Sequence, residues 1–186
     1  MKHGQISREQ LLQAAKALVA DEGVDALNIR RLAAACGVSV GSIYNYFPAK
    51  SDLTAAVVGD FWREAIHGVP WPTEAVRFEA FVVMLYERLY GYFQTFEQDW
   101  LAQLTAMPRQ QRERSKQTEA QYFTHMQQRM LGALVADVTI DSRAWDDVFT
   151  PEALVELVFE QLLAGLRKDQ PDIQILLAVL ERLLHP

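Results

Sequence analysis

Apolar residues recur at three- and four-residue spacing along most of the chain, and nowhere alternate with period two over a useful length. The pattern predicts an all-α protein of about nine helices. Leu11, Leu12, Ala15, Leu18 and Val19 make the first stripe. Ser7 and Gln10 form a capping box ahead of it, and Gly23 ends it. Asn28 caps a short second helix with Ile29, Leu32, Ala33 and Cys36 at helical spacing, and Leu27 and Leu32 stand at staple positions. Gly37 stops that helix, because glycine takes the left-handed C′ conformation without steric cost. Ser39 caps a third helix, about Val40 to Phe47, where Val38 and Ile43 repeat the staple. Two short helices joined by so tight a turn cross steeply, as in a helix-turn-helix.

A fourth helix is predicted from about Ser51 to His67, with Leu53, Val57, Phe61 and Ile66 apolar, and Gly68, Pro70 and Pro72 break the chain after it. Thr73 opens a long helix to about Phe96 that is apolar almost all round, the mark of a central element. Gln98 to Met107 reads as a short helix. Arg109 to Asp137 reads as a long one, polar and solvated for three turns and apolar from Tyr122. Val138 to Phe149 is a polar connection. Thr150 and Pro151 cap and start a helix to about Arg167, and Pro171 and Asp172 open the last. The expected division is a three-helix domain over 1–50 and a larger helical domain over 51–186, with the fourth helix as lever between them.

A length of 186 residues, half of them hydrophobic, allows one or two domains with a sizeable core. The net charge of −6 argues against nucleic acid until its distribution is read. Residues 1–50 carry a net +2 and the remainder a net −8, so a mildly basic head can hold phosphate while an acidic body stays away. One cysteine, Cys36, excludes an internal disulfide and fits a reducing compartment; on the apolar face of its helix it reads as a small buried hydrophobe. No apolar run reaches the ~18 residues of a membrane span, and the first residues show no signal-peptide core. A cytoplasmic protein is expected.

Catalytic chemistry finds no residues. His3, His67, His125 and His185 pair with no other ligand at metal spacing, and HExxH, CxxC and a phosphate-cradling glycine loop do not occur. Asp146 and Asp147 lie in a polar loop. No enzyme, metal or cofactor is expected, although an all-helical enzyme stays as a remote alternative.

The third helix has an odd composition for a structural element. Ile43 and Phe47 can face the core, leaving Val40, Gly41, Ser42, Tyr44, Asn45 and Tyr46 outward. Small and hydroxyl-bearing positions suit a surface that enters a DNA groove, with Lys50 just past the helix. A plain three-helix core with the tyrosines packed inside also fits.

Residues 37–53, Gly-Val-Ser-Val-Gly-Ser-Ile-Tyr-Asn-Tyr-Phe-Pro-Ala-Lys-Ser-Asp-Leu, resemble the signature of TetR-family transcriptional regulators, and Ile29 to Ala33 match the same pattern. The resemblance is specific over about residues 7–60 and rests beyond them on helical architecture and length. Ala49 stands where a polar cap is common, which blurs the start of the next helix. The resemblance implies a bacterial DNA-binding regulator, a repressor more than an activator. It would be a homodimer on a near-palindromic double-stranded operator, released by a small-molecule inducer, with a C-terminal ligand-binding and dimerisation domain. A ligand-independent architectural DNA-binding protein is the alternative.

The resemblance puts DNA contacts on Arg30, Val40, Gly41, Ser42, Tyr44, Asn45, Tyr46 and Lys50. Hydroxyl and ammonium donors give Tyr44, Tyr46 and Lys50 mainly phosphates, and leave Arg30, Ser42 and Asn45 for base edges. For the dimer, Leu154, Val158, Leu162 and Gly165 on one helix and Ile173, Leu176, Leu177, Leu180, Leu183 and Leu184 on the last are the candidates, with an internal core as the other account. Sixteen of the nineteen aromatic residues follow residue 60. An inducer cavity is expected among Phe81, Leu85, Leu89, Tyr92 and Phe93, facing Trp100, Leu104 and Met107. Tyr122, Phe123, Met126 and Met130, with Phe159 and Leu163, would close it. The same stripes also fit an ordinary core. Without a cationic cluster the pocket suits a flat, largely apolar molecule, and Glu87 and Glu119 offer charge to a cationic one.

Overall fold

The computed structural model describes residues 6–23, 26–67, 69, 71, 76–94 and 109–185, the stretch 109–115 by its backbone. These residues form α1 (Arg8–Glu22), α2 (Ile29–Ala35), α3 (Val40–Tyr44), α4 (Lys50–His67), α5 (Phe78–Phe93), α6 (Arg109–Ala136), α7 (Pro151–Arg167) and α8 (Gln174–Leu184). A 3₁₀ turn, Ser142–Ala144, precedes α7, and no strand occurs among the described residues. No helix among them is long and apolar enough to cross a membrane. The expected helix over 98–107, with Trp100, Leu104 and Met107, lies outside the described residues.

Packing divides the chain into two units. One holds α1–α3, α4 as far as Glu64 and α6 as far as Tyr122; the other takes the chain from Ala65 through α5, and from Phe123 onward. The division falls inside two helices, and does not coincide with the functional boundary expected at residue 50.

The first unit packs Leu11, Leu32, Ile43, Leu53 and Phe61 with at most 1% of their surface exposed. Its helix ends follow local rules. The Ser7 hydroxyl accepts the Gln10 N–H while the Gln10 side chain accepts the Ser7 N–H, and Asn28 and Ser39 accept from the amides three residues on. Gly37 sits at φ +64°, where a β-carbon is strained. Ala49 is no gap in the pattern, because its own N–H donates to the Asp52 carboxylate at 2.9 Å. Lys16 ties α1 to α4, with its ammonium 2.7 Å from both Asp60 and Glu64. Gly59 on α4 lies against α6, where an added β-carbon would stand 2.9 Å from the Thr118 methyl.

In the second unit, Phe78, Phe81, Val82, Leu85, Tyr86 and Leu89 of α5 are buried on one face, whereas Ala80, Glu87, Arg88 and Gly91 are exposed and Val83, Met84, Tyr90, Tyr92 and Phe93 half-buried, so α5 is covered on one side rather than all round as its apolar pattern predicts. Its N-terminus departs from expectation. Val76 and Arg77 are not helical, so α5 starts at Phe78 rather than near Thr73, which itself is outside the described residues. Arg77 provides no side-chain cap. Asp137, fifty-nine residues away, accepts the Phe78 N–H at 2.7 Å and also the Thr139 amide and hydroxyl.

The residues expected on a dimer face are mostly core. Leu154, Val158, Leu162, Leu180 and Leu184 are at most 1% exposed within one chain. Gly165 makes room for Tyr86: a β-carbon there would lie 2.6 Å from the Tyr86 hydroxyl, which donates to the Gln170 carbonyl. Leu176 and Leu177 are half-buried. The apolar side chains that α7 and α8 leave exposed are Leu157, Ile175, Val179 and Leu183. A stripe pattern identifies apolar helix faces but cannot say which of two faces a single chain covers, and here the stronger stripe went inward.

Candidate nucleic-acid interface

α3 stands on the surface because its two apolar anchors are sufficient to hold it. Ile43 is 0% and Phe47 1% exposed, and the Arg8 guanidinium covers the Phe47 ring at 5.4 Å. Ser39 holds the N-terminus by accepting the Ser42 N–H at 3.1 Å, and the two hydroxyls lie 2.9 Å apart. On the outward side Val40, Gly41, Tyr44 and Asn45 are exposed and Ser42 is half-buried. Tyr44 keeps 50% of its surface accessible, so the alternative in which both tyrosines pack inside fails for it. Arg30 is exposed on the first turn of α2, and Lys50 half-buried at the start of α4. Arg31, beside Arg30, is held by Glu22.

Tyr46 does something different from the expected phosphate contact. Its hydroxyl donates to the Ile6 carbonyl at 2.6 Å and the ring is half-buried. The donor a phosphate needs is engaged within the protein, so Tyr46 anchors the residues before α1 to α3. The sequence carried no signal for this, because the partner is a backbone carbonyl forty residues upstream.

The electrostatics behind the module centre on Asp60. Burial works against its charge, but hydrogen bonds from Lys16 and Arg63 outweigh burial and hold its carboxyl below the usual aspartate range. Burial likewise presses the Lys16 ammonium downward, and the bonds to Asp60 and Glu64 more than reverse it. Cys36 is half-buried and burial raises its thiol, consistent with a packed, unreactive side chain.

Of the residues expected around an inducer, Phe81, Leu85, Leu89, Met126 and Met130 have at most 1% of their surface accessible. A side chain with no accessible surface borders no space that a water-sized sphere can occupy, so these five are core here. Phe159 and Leu163 are nearly as buried, at 3% and 9%. Tyr92, Phe93, Tyr122 and Phe123 are half-buried, and Phe123 meets the Phe159 ring edge-on at 5.1 Å. Glu87 is exposed, whereas Glu119 accepts the Trp62 indole N–H at 3.2 Å. A groove of about 320 Å³ does open elsewhere on the second unit, between Thr124, Gln127, Gln128 and Leu131 of α6 and Glu152, Val155 and Glu156 of α7. None of its lining was singled out in the sequence, because polar residues on two solvated faces carry no pocket pattern.

Comparison with known proteins agrees with this geometry. Residues 11–57 match the family model described as bacterial regulatory proteins, tetR family. The HTH-type transcriptional repressor KstR2 of Mycolicibacterium smegmatis is 37% identical over 54 residues, 29% of this chain and 26% of that protein, so the match spans about a quarter of the relative. Among solved structures, the multidrug binding protein EbrR complexed with imidazole superposes with a TM-score of 0.68 at 21% identity, over 96% of this chain and 95% of that one. BioQ with its double-stranded DNA operator gives 0.63 at 18% identity, over 96% and 98%. FadR from Bacillus subtilis in complex with stearoyl-CoA gives 0.63 at 15%, also over 96% and 98%. At such identities the structural likeness establishes the fold alone. The sequence likeness to the tetR family of bacterial regulatory proteins covers residues 11–57, in α1 to α4, and the helical fold is shared with the solved structures along the whole chain.

Proposed function

We propose that the protein is a cytoplasmic transcriptional repressor that binds a near-palindromic operator as a homodimer and leaves it when a small molecule binds its C-terminal half. The observation that carries this reading is the outward face of α3, where Val40, Gly41, Tyr44 and Asn45 are exposed on a helix anchored by Ile43 and Phe47. Tyr44 and Lys50 contact phosphates, and Arg30, Ser42 and Asn45 read base edges. Tyr46 holds the module together from behind. The likeness to KstR2, a transcriptional repressor, and to BioQ with its double-stranded DNA operator supports the same reading.

Two recognition helices must reach half-sites about 34–36 Å apart or a multiple of that, which one chain cannot do. Leu157, Ile175, Val179 and Leu183 form the apolar surface through which α7 and α8 meet a second copy. The inducer is small and largely apolar, and binds beside Phe93, Phe123 and Phe159. Binding must favour the DNA-incompetent state, since equal affinity for both states shifts nothing. Relatives of this fold are described with ligands as different as imidazole and stearoyl-CoA.

The test is selection of bound fragments from the source genome, followed by titration of the recovered operator. A single near-palindromic motif is expected. Lys50→Ala should weaken binding similarly on all sequences and flatten the log–log salt slope by about one. Recovery of fragments with no shared motif would remove the operator reading, and an unchanged slope would remove Lys50 from the interface.

A further inference from the structure

Three ligand-bearing side chains that serve no part of this scheme meet at one corner of the second unit. Glu79 stands in the first turn of α5, Glu181 in the last turns of α8, and His185 immediately after α8. One ligand atom from each lies within 4.8 Å of the others. Glu181 and His185 are four residues apart, which puts both on one side of the helix end. The spacing of the three in sequence does not mark a site, because Glu79 is more than a hundred residues from His185.

The hydrogen bonds set the imidazole for coordination. His185 Nδ1 lies 3.1 Å from the Thr139 carbonyl, an oxygen that can only accept, so Nδ1 carries a proton. Nε2 faces the Glu79 Oε1 at 3.0 Å, a contact that without a metal needs a proton on Nε2 as well, and a bound cation would take that proton's place. A backbone carbonyl on one ring nitrogen is the arrangement that fixes the tautomer and orientation of a metal-bound histidine. Thr139 is itself held, its amide and hydroxyl both donating to Asp137.

Glu79 supplies the second observation. The residue is 9% exposed, and its Oε2 has no hydrogen-bond donor among the described residues. The nearest cation to that oxygen is Arg77, whose Nε is 3.6 Å away and whose Nη2 is engaged 2.7 Å from Glu181. A buried carboxylate in this state favours a cation that binds it directly.

We propose that Glu79, Glu181 and His185 bind a divalent transition-metal ion of the zinc class. One imidazole nitrogen and two carboxylate oxygens suit such an ion, with water completing four-coordination. Tetrahedral ligands at about 2.0–2.1 Å stand roughly 3.4 Å from one another, close to the spacing Glu79 and His185 already have. Glu181, more than half exposed, closes the site by turning from Arg77. Both partners of that ion pair are solvated, so breaking it costs little. The ion would join the first turn of α5 to the end of α8.

The experiment titrates the full-length protein with Zn²⁺ against a chromophoric chelator, and with Co²⁺ by visible absorption. One equivalent of Zn²⁺ per chain and a Co²⁺ band of tetrahedral intensity are expected. Glu181→Gln and His185→Gln should each raise the Zn²⁺ dissociation constant at least about tenfold, as even outer-shell partners do. Arg77→Gln should lower it by removing the competing cation, an effect that a purely structural ion-pair network would not produce. If His185→Gln fails to fold by circular dichroism, the solvent-facing Glu181→Gln decides. Absence of stoichiometric binding, or binding unchanged in Glu181→Gln, overturns the proposal.

Discussion

The two units bound their helices by different means. In the first, Ser7, Asn28 and Ser39 each cap the helix they precede, and Asp52 reaches back to Ala49. Each device spans three residues. In the second, α7 is capped locally by Thr150, but α5 is capped by Asp137 from the loop after α6. Thr139 then joins Asp137 to His185 after α8. Tyr86 likewise joins α5 to the turn after α7 through Gln170. A unit with local caps has helix ends that survive small changes elsewhere. A unit whose helix ends depend on distant side chains loses several at once when one support goes.

The largest effect should come from the face that α8 turns inward. Leu180→Arg with Leu184→Arg places two charges where the side chains are 1% and 0% exposed, and should abolish folding at ordinary temperature, a loss of more than ~5 kcal/mol. Val179→Arg with Leu183→Arg alters the exposed face of the same helix. It should leave a folded chain that runs as a monomer by light scattering and no longer binds operator. If the second pair unfolds the protein as badly as the first, the assignment of inward and outward faces is wrong.

Next in size are the caps themselves. Asp137→Ala removes the acceptor of the Phe78 N–H and of both Thr139 donors, and should cost about 2–3 kcal/mol in denaturant unfolding. Asn28→Ala removes one exposed local cap and should cost ~1 kcal/mol. Equal losses from the two variants would erase the distinction between local and distant capping.

That distinction also explains what was legible in the sequence. The capping box, the two helix-turn-helix caps, Gly37 and the anchors Ile43 and Phe47 were readable, because each signal and its effect lie within a few residues. The buried face of α5 was not distinguishable in its all-round apolar pattern, because Val83, Met84, Tyr92 and Phe93 carry the same signal as Phe81 and Leu85 and are only half-buried. Nor was its first residue, since Asp137 is remote and Thr73 offered a plausible local cap. The expected dimer residues followed the strongest stripe on α7 and α8, and a single core claims that stripe first. Tyr46 was read as a donor to phosphate because hydroxyl chemistry is visible in sequence and the Ile6 carbonyl is not. The inducer residues share one difficulty: Met126 or Phe159 carries the same apolar signal whether it lines a cavity or fills one.

A smaller and graded effect should appear with pH. Asp60 in the first unit and Asp137 in the second both have carboxyls held below the usual range, each against burial. For Asp60 the bonds from Lys16 and Arg63 prevail, and for Asp137 those from Thr139 and Phe78. A depressed folded value means that each carboxylate stabilises the fold fully above the unfolded pKa, near 3.9, and loses that contribution as pH falls through the folded value. Stability should therefore be flat in these two groups from pH 7 to about 5 and decline below about 4. The two variants separate the units. In Lys16→Met, Asp60 loses one of its two cations, its folded value rises, and the acid limb of unfolding becomes shallower. In Asp137→Asn, the same limb should flatten while Lys16 and Asp60 stay paired. Denaturant midpoints measured between pH 3 and 7 on both variants decide the matter. A limb unchanged by either substitution would mean that other carboxylates set the acid stability of this fold.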